Sequence, residues 1–248
     1  MAEQARAEPT HARAWSRRLA TEFVGTAALT FVAAGADVAA RLSGGEVTAG
    51  ARAVAPGLLV IALIYALGDG SGAHFNPVVS LGFALKRLFP IGWLVPYWAA
   101  QLLGALVAAL GLRLLFGDAV AAGVSEPKLV EPLTAAAIEA ILAAILVTVI
   151  IGTADRYRLV GPNAALAVGA TIVLCGLVVL PLEGASMNPA RSFGPAVVAG
   201  RLGDLWIYWL GPAVGAVAAV LITLIVHGAP EPDRKAQEAA QGKPESSG

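Results

Sequence analysis

Apolar stretches of two lengths alternate with short polar ones along this chain. Six of them, near 17–40, 53–69, 91–116, 133–153, 162–181 and 205–227, are long enough to cross a hydrocarbon layer, which takes about 20 apolar residues with some allowance for tilt. Two others, 76–85 and 188–199, are too brief to span, and each opens on Asn-Pro. Asn is a strong helix N-cap and Pro is favoured at the first helical position, so both short stretches predict helix starts. Short helices that begin inside a membrane protein, rather than at its surface, mark a pathway through it. The pattern therefore predicts an all-α membrane protein that is a channel or a transporter.

Composition sharpens the membrane reading. Hydrophobic residues make up 57% of the 248 and charged ones 14%, with a mean hydropathy of +0.73; soluble domains carry about 25% charged residues. The formal net charge is zero, so no overall field argues for nucleic acid or acidic partners. Cys175 is the one cysteine, which excludes an intrachain disulfide and a cysteine-based metal centre. No metal-ligand cluster, nucleotide-binding Gly motif or nucleophile–base pair stands out, so neither an enzyme nor a cofactor is expected. Residues 1–15 are polar and lack the apolar core of a signal peptide, which predicts that the first hydrophobic segment stays as an anchor. The tail over 229–248 is rich in Glu, Lys, Gln and Ser from Glu231 onward and is predicted to be disordered.

The channel domain, 16–228, repeats itself. Gly72-Ala73-His74-Phe75-Asn76-Pro77 returns as Gly184-Ala185-Ser186-Met187-Asn188-Pro189, 112 positions later. Tyr97-Trp98 with Gly104 returns as Tyr208-Trp209 with Gly215, 111 positions later, and Glu22 is echoed by Glu139. Each half (about 16–116 and 130–228) thus holds three spans and one short helix. An odd number of crossings inverts the second copy, so the short helices enter from opposite faces and their N-termini meet near the midplane. With the N-terminus inside, 11 of the 17 Lys and Arg residues fall on the inner side, against 6 (Arg41, Arg52, Arg113, Lys128, Arg191 and Arg201) outside or in the pore. That asymmetry predicts both termini in the cytoplasm.

On these motifs the chain resembles the aquaporin, or major intrinsic protein, family, from about Trp15 to His227, as a bacterial-type channel for water or small neutral solutes. Asn188-Pro189-Ala190-Arg191-Ser192-Phe193-Gly194 is close to a family signature; the first motif, Asn76-Pro77-Val78, departs from it by placing Val78 where alanine is usual. A bulkier third residue is expected to alter the packing between the two short helices. The resemblance implies six spans, two re-entrant half-helices, one pore per subunit, a homotetramer and a place in the plasma or inner membrane. It also implies an outer constriction of Pro56, Gly176, Ala185 and Arg191. Strict water channels of the family carry an aromatic residue and a histidine at the first two of these positions, so the opening here is expected to be wider and less polar. Ser192, Ala196, Tyr208 and Trp209 instead resemble the family's water-channel pattern. Conduction of water together with glycerol, urea or metalloid hydroxides is the resulting expectation.

Elementary electrostatics supports such a pore. The amides of Asn76 and Asn188 can donate to a passing oxygen, and each helix start adds roughly half a positive charge. At about 8 Å and an effective dielectric near 20, a unit cation meets roughly 1 kcal/mol of repulsion per helix start and roughly 2 from Arg191. Loss of ion hydration costs several kcal/mol more. A charge such as Arg191 at membrane depth itself costs at least about 2.5 kcal/mol and so needs partners or a wet cavity; three residues past an Asn-Pro, it reads as pore-lining. Glu22 and Glu139 read as acceptors for the unpaired N–H groups of the re-entrant loops, although Glu22 could also pair with Arg18 one turn earlier. His74 could equally line the inner half of the pore or bond to loop carbonyls. A secondary transporter, which also uses repeats and broken helices, is the alternative.

Overall fold

The computed structural model describes residues 11–155, 163–228 and 234–242. Six long helices carry the predicted spans: α1 (His11–Leu42), α2 (Ala49–Ser71), α4 (Leu94–Phe116), α5 (Pro132–Asp155), α6 (Ala164–Glu183) and α8 (Ile207–His227). Two short ones, α3 (Pro77–Leu85) and α7 (Pro189–Ala199), begin where the Asn-Pro pairs placed them, with Asn76 and Asn188 as caps and Pro at the first position. The Asn76 side chain accepts from the Val78 N–H and that of Asn188 from the Ala190 and Arg191 N–H groups, so the caps satisfy otherwise orphaned donors. A 3₁₀ turn, Gly117–Gly123, follows α4.

The helices pair as the repeat requires: α1 packs on α4, α5 on α8, and α2 on α6 across the junction of the halves. Lipid is as apolar as the helix surfaces, so these contacts rest on close backbone approach rather than on hydrophobic exclusion. A Cβ at Gly104 would stand 2.3 Å from the Phe23 carbonyl oxygen, and one at Gly215 2.3 Å from that of Ala140. The two repeats thus use the same device at equivalent crossings. Large apolar side chains such as Leu114, Val178 and Ile225 point outward, as a hydrocarbon surround demands. Six apolar helices of spanning length make this a multi-pass membrane protein.

The tail departs from expectation. Arg234–Gln241, predicted disordered as part of 229–248, forms a further helix, α9, with Ala236 and Ala240 buried against the bundle. Its composition is that of a solvated segment; small residues spaced four apart supply one narrow packing face, which composition averages away. The remaining tail residues, and the N-terminal tail up to residue 10, lie outside the described residues.

Candidate solute pathway

Each re-entrant loop is held open by a carboxylate from the neighbouring long helix. Glu22 Oε1 accepts from the His74 N–H at 3.0 Å and Oε2 from that of Phe75 at 2.7 Å. In the second half Glu139 Oε1 accepts from the Ser186 N–H at 2.6 Å and Oε2 from that of Met187 at 2.7 Å. Both carboxylates are fully buried. Because peptide units are planar and trans, N–H groups turned toward the carboxylate turn the preceding carbonyls the other way. The loops keep this course through positive φ at Ala73 and Phe75, matched by Ala185 and Met187. Left-handed conformations of this kind cost roughly 1–2 kcal/mol per residue, which bonds to a charged acceptor, about 1.5–3 kcal/mol each, can offset.

At the centre the two halves are stitched together. Asn76 Nδ2 donates to the Met187 carbonyl at 2.8 Å, and Asn188 Nδ2 to the Phe75 carbonyl at 2.9 Å. An amide NH₂ carries two hydrogens, so each asparagine retains one donor after this link. The caps consume the Oδ1 atoms. What remains at the midplane is a pair of outward donors on two converging helix starts. Val78 does not prevent this meeting. Its side chain is buried in the cluster with Phe83, Tyr97 and Val147, and Val78 is not among the residues that line the cavity.

The asparagines border a cavity of about 420 Å³ that also touches Pro56, Gly176, Ala185 and Arg191 at one end and His74 at the other. All four expected constriction residues therefore border the same cavity as Asn76, Asn188 and His74. Most of the remaining wall is apolar, including Val60, Ile64, Val79, Leu146, Val168 and Ile172. Gly176 corrects a simple picture of its role: a Cβ there would stand 3.0 Å from the Ala53 Cβ, so the missing side chain serves the α2–α6 approach as well as the width of the passage.

Arg191 is buried and held through both terminal nitrogens. Its Nη1 donates to the Ser125 hydroxyl at 2.5 Å and the Gly123 carbonyl at 3.2 Å, and its Nη2 to Asp37 Oδ2 at 3.1 Å. Asp37 also accepts from Arg52 Nη1 at 2.9 Å through Oδ1, and Arg52 borders the same cavity. Sequence reasoning missed Asp37 altogether, since it sits near the end of the first span, far along the chain from either motif; an unexplained acid in an apolar span was the available signal. The finding also revises the electrostatic argument. One carboxylate lies between two guanidiniums, so the mouth carries a net formal charge of +1 shared over three groups rather than an isolated arginine.

His74 borders the cavity and is bonded on both ring nitrogens, though to a hydroxyl on α3 and a carbonyl on α9 rather than to loop carbonyls. Nδ1 meets the Ser80 hydroxyl at 2.8 Å and Nε2 the Ala240 carbonyl at 2.7 Å. A carbonyl only accepts, so Nε2 carries a hydrogen. The equivalent pair in the other half is Ser186 with Ser192, whose hydroxyls lie 2.5 Å apart. Gln101 adds a bond to Glu22 at 2.7 Å, and Glu183 accepts from the Ala185 N–H at 3.0 Å; neither residue was singled out from sequence.

Comparison with known proteins places this arrangement. The model of the family described as "Major intrinsic protein" matches residues 9–223. The chain belongs to the major intrinsic protein family. Aquaporin NIP1-1 of Oryza sativa subsp. japonica is 41% identical over 226 residues, covering 88% of this chain and 77% of the relative. Aquaporin NIP1-1 of Zea mays is 43% identical over 202 residues (82% and 72%), and putative aquaporin NIP4-1 of Arabidopsis thaliana 38% over 225 (91% and 80%). These relatives are plant proteins, so they lend no support to the bacterial-type qualifier. Among solved structures, the aquaglyceroporin from Plasmodium falciparum superposes with a TM-score of 0.76 at 24% identity, covering 84% of this chain and 95% of that one, which establishes the shared fold. As a major intrinsic protein the chain is a channel, not an enzyme.

Proposed function

We propose that the protein is a passive membrane channel for water and small neutral solutes of the glycerol, urea or metalloid-hydroxide class, and that it excludes ions. One observation carries this reading: two half-helix starts converge with a single free amide donor each, in a mostly apolar passage with Arg191 at one end. A neutral molecule trades water contacts for those donors and for loop carbonyls. A cation meets the positive helix starts and the +1 mouth without recovering its hydration.

The breadth of the permeant class rests on Pro56, Gly176 and Ala185, none of which offers a bulky or charged group to narrow the ring around Arg191. The passage runs between an outer Arg191 end and an inner His74 end, with both termini in the cytoplasm, as the distribution of basic residues supports. A homotetramer in the plasma or inner membrane follows the family habit. The transporter alternative is disfavoured because Glu22 and Glu139, which could couple an ion, have their oxygens bound to loop N–H groups.

Stopped-flow light scattering on proteoliposomes tests the function. Under an impermeant osmotic gradient the vesicles should shrink faster than protein-free ones. With glycerol or urea as osmolyte they should then re-swell. Shrinkage without re-swelling overturns the solute claim, and saturable uptake that follows an ion gradient favours the transporter.

A further inference from the structure

The C-terminal helix α9 is seated across the His74 end of the passage. Its Lys235, Glu238 and Ala239 border the same cavity as Asn76 and Asn188. Its last turn is bonded to the channel at two points: the Ala240 carbonyl accepts from His74 Nε2 at 2.7 Å, and Gln241 Nε2 donates to the Leu88 carbonyl at 2.8 Å. The seat is shaped for it. Gly72, with φ +88°, leaves room where a Cβ would lie 2.4 Å from the Ala240 carbonyl oxygen, and Gly242 fits against the backbone of residues 69–71. Ala236 and Ala240 are buried, and Ala239 packs beside the cluster containing Leu88 and Phe89.

We infer that α9 is an intramolecular plug: docked, it closes the inner mouth against His74, and undocked, it opens the channel. The inference rests on the channel reading above. The polarity of the contact suits a reversible device. His74 belongs to the re-entrant loop, one residue from the Glu22-bound Phe75 N–H and two from Asn76, so the plug bonds directly to the loop that lines the passage. A carbonyl in the last helical turn lies at the negative end of the helix dipole and is a good partner for an N–H donor.

The tether makes weak docking sufficient. Residues 229–233 join α8 to α9, and a tether this short confers an effective concentration on the order of 1 mM. A docking constant of about 0.1 mM would then leave roughly one channel in ten open. Removing the helix should raise permeability per channel roughly tenfold, for water and glycerol alike, because the plug acts at the far end from Arg191.

The test compares the full chain, a chain ending at Gly228, Ala240→Glu, and the exposed-face control Gln237→Glu in proteoliposomes at matched protein content. Truncation and A240E should raise water and glycerol permeability in parallel while Q237E leaves both unchanged. A synthetic peptide of residues 229–248 added on the inner side should close the truncated channel again. Equal permeability of full-length and truncated channels overturns the plug and leaves the channel reading standing; conduction by neither form overturns the channel reading instead. Should truncation impair folding, hydrogen exchange on the full-length protein decides: protection of the amides of 234–241 is expected, and exchange at free-peptide rates overturns the docking.

Discussion

The two halves of this molecule build the same loop and then put it to different uses. In both, a buried glutamate from the first span of the repeat takes two loop N–H groups, alternate residues adopt positive φ, and an asparagine cap reaches across to the opposite loop. The third residue after each asparagine breaks the symmetry. In the first half it is Val79, part of the apolar wall; in the second it is Arg191, bonded to Asp37, Ser125 and Gly123. The elements outside the repeats then diverge as well. The stretch after α4 supplies Gly123 and Ser125 to Arg191 at one mouth, whereas α9 occupies the other. The scaffold is shared because backbone satisfaction within a membrane permits few solutions, while the charge and the closure come from single residues and appended segments.

Making the halves alike should produce the largest effect. Arg191→Val removes the cation and leaves Asp37 paired with Arg52 alone, so the mouth falls from +1 to neutral. The roughly 2 kcal/mol of repulsion assigned to such a charge corresponds to about a 30-fold rise in cation leak. Planar-bilayer recordings of sodium or potassium current check this; current as low as in the parent protein would mean that desolvation alone excludes ions.

Loop support should give the next largest effect, on stability. Glu139→Ala strands the Ser186 and Met187 N–H groups, at about 1–3 kcal/mol for each buried donor left unpaired. Detergent-solubilised protein should unfold at a markedly lower temperature, and Glu22→Ala should lose at least as much, because Glu22 takes the matching pair of loop N–H groups and also accepts from Ser71 Oγ and Gln101 Nε2. A strong loss in one variant and none in the other would break the equivalence of the halves.

Asp37 sharpens the comparison from the Arg191 side. Asp37→Asn leaves one amide oxygen to serve two guanidiniums, weakens a charge-assisted bond worth about 1.5–3 kcal/mol to a neutral one at best, and raises the net charge of the three groups to +2. The Arg191 side chain then leans into the passage, so glycerol permeability should fall several-fold relative to water. Asp37→Glu should restore most of the ratio. A ratio indifferent to all changes at position 37 would show that Ser125 and Gly123 suffice to hold Arg191.

Val78→Ala should have the smallest effect. Its side chain belongs to a buried apolar cluster and does not line the cavity, and the central links are made by Asn76 and Asn188 to the Met187 and Phe75 carbonyls. Water and glycerol permeability should stay within about twofold of the parent, with a modest loss of stability from the vacated volume. A large change in selectivity would reinstate this departure from the family motif as a functional one.

Much of the architecture was legible along the chain because its determinants are local. Span length, Asn-Pro caps and the offset between repeats depend on residues close in sequence, and α3 and α7 start where they predict. Pro56, Gly176, Ala185 and Arg191, which the family motif implied as a constriction, all border the cavity that Asn76 and Asn188 also border. Asp37 was not legible, because its value depends on two arginines 15 and 154 positions away. The α9 seat was hidden for a related reason: a polar eight-residue helix has little intrinsic stability, and only the groove around Gly72, His74 and Leu88 gives its alanines something to pack against. The primary structure by itself determined that this is an inverted-repeat membrane channel with caps at its centre, since apolar length and helix capping are short-range properties. Tertiary structure alone decided how Arg191 is neutralised and what lies across the His74 mouth, because both depend on groups that meet only when distant helices have packed.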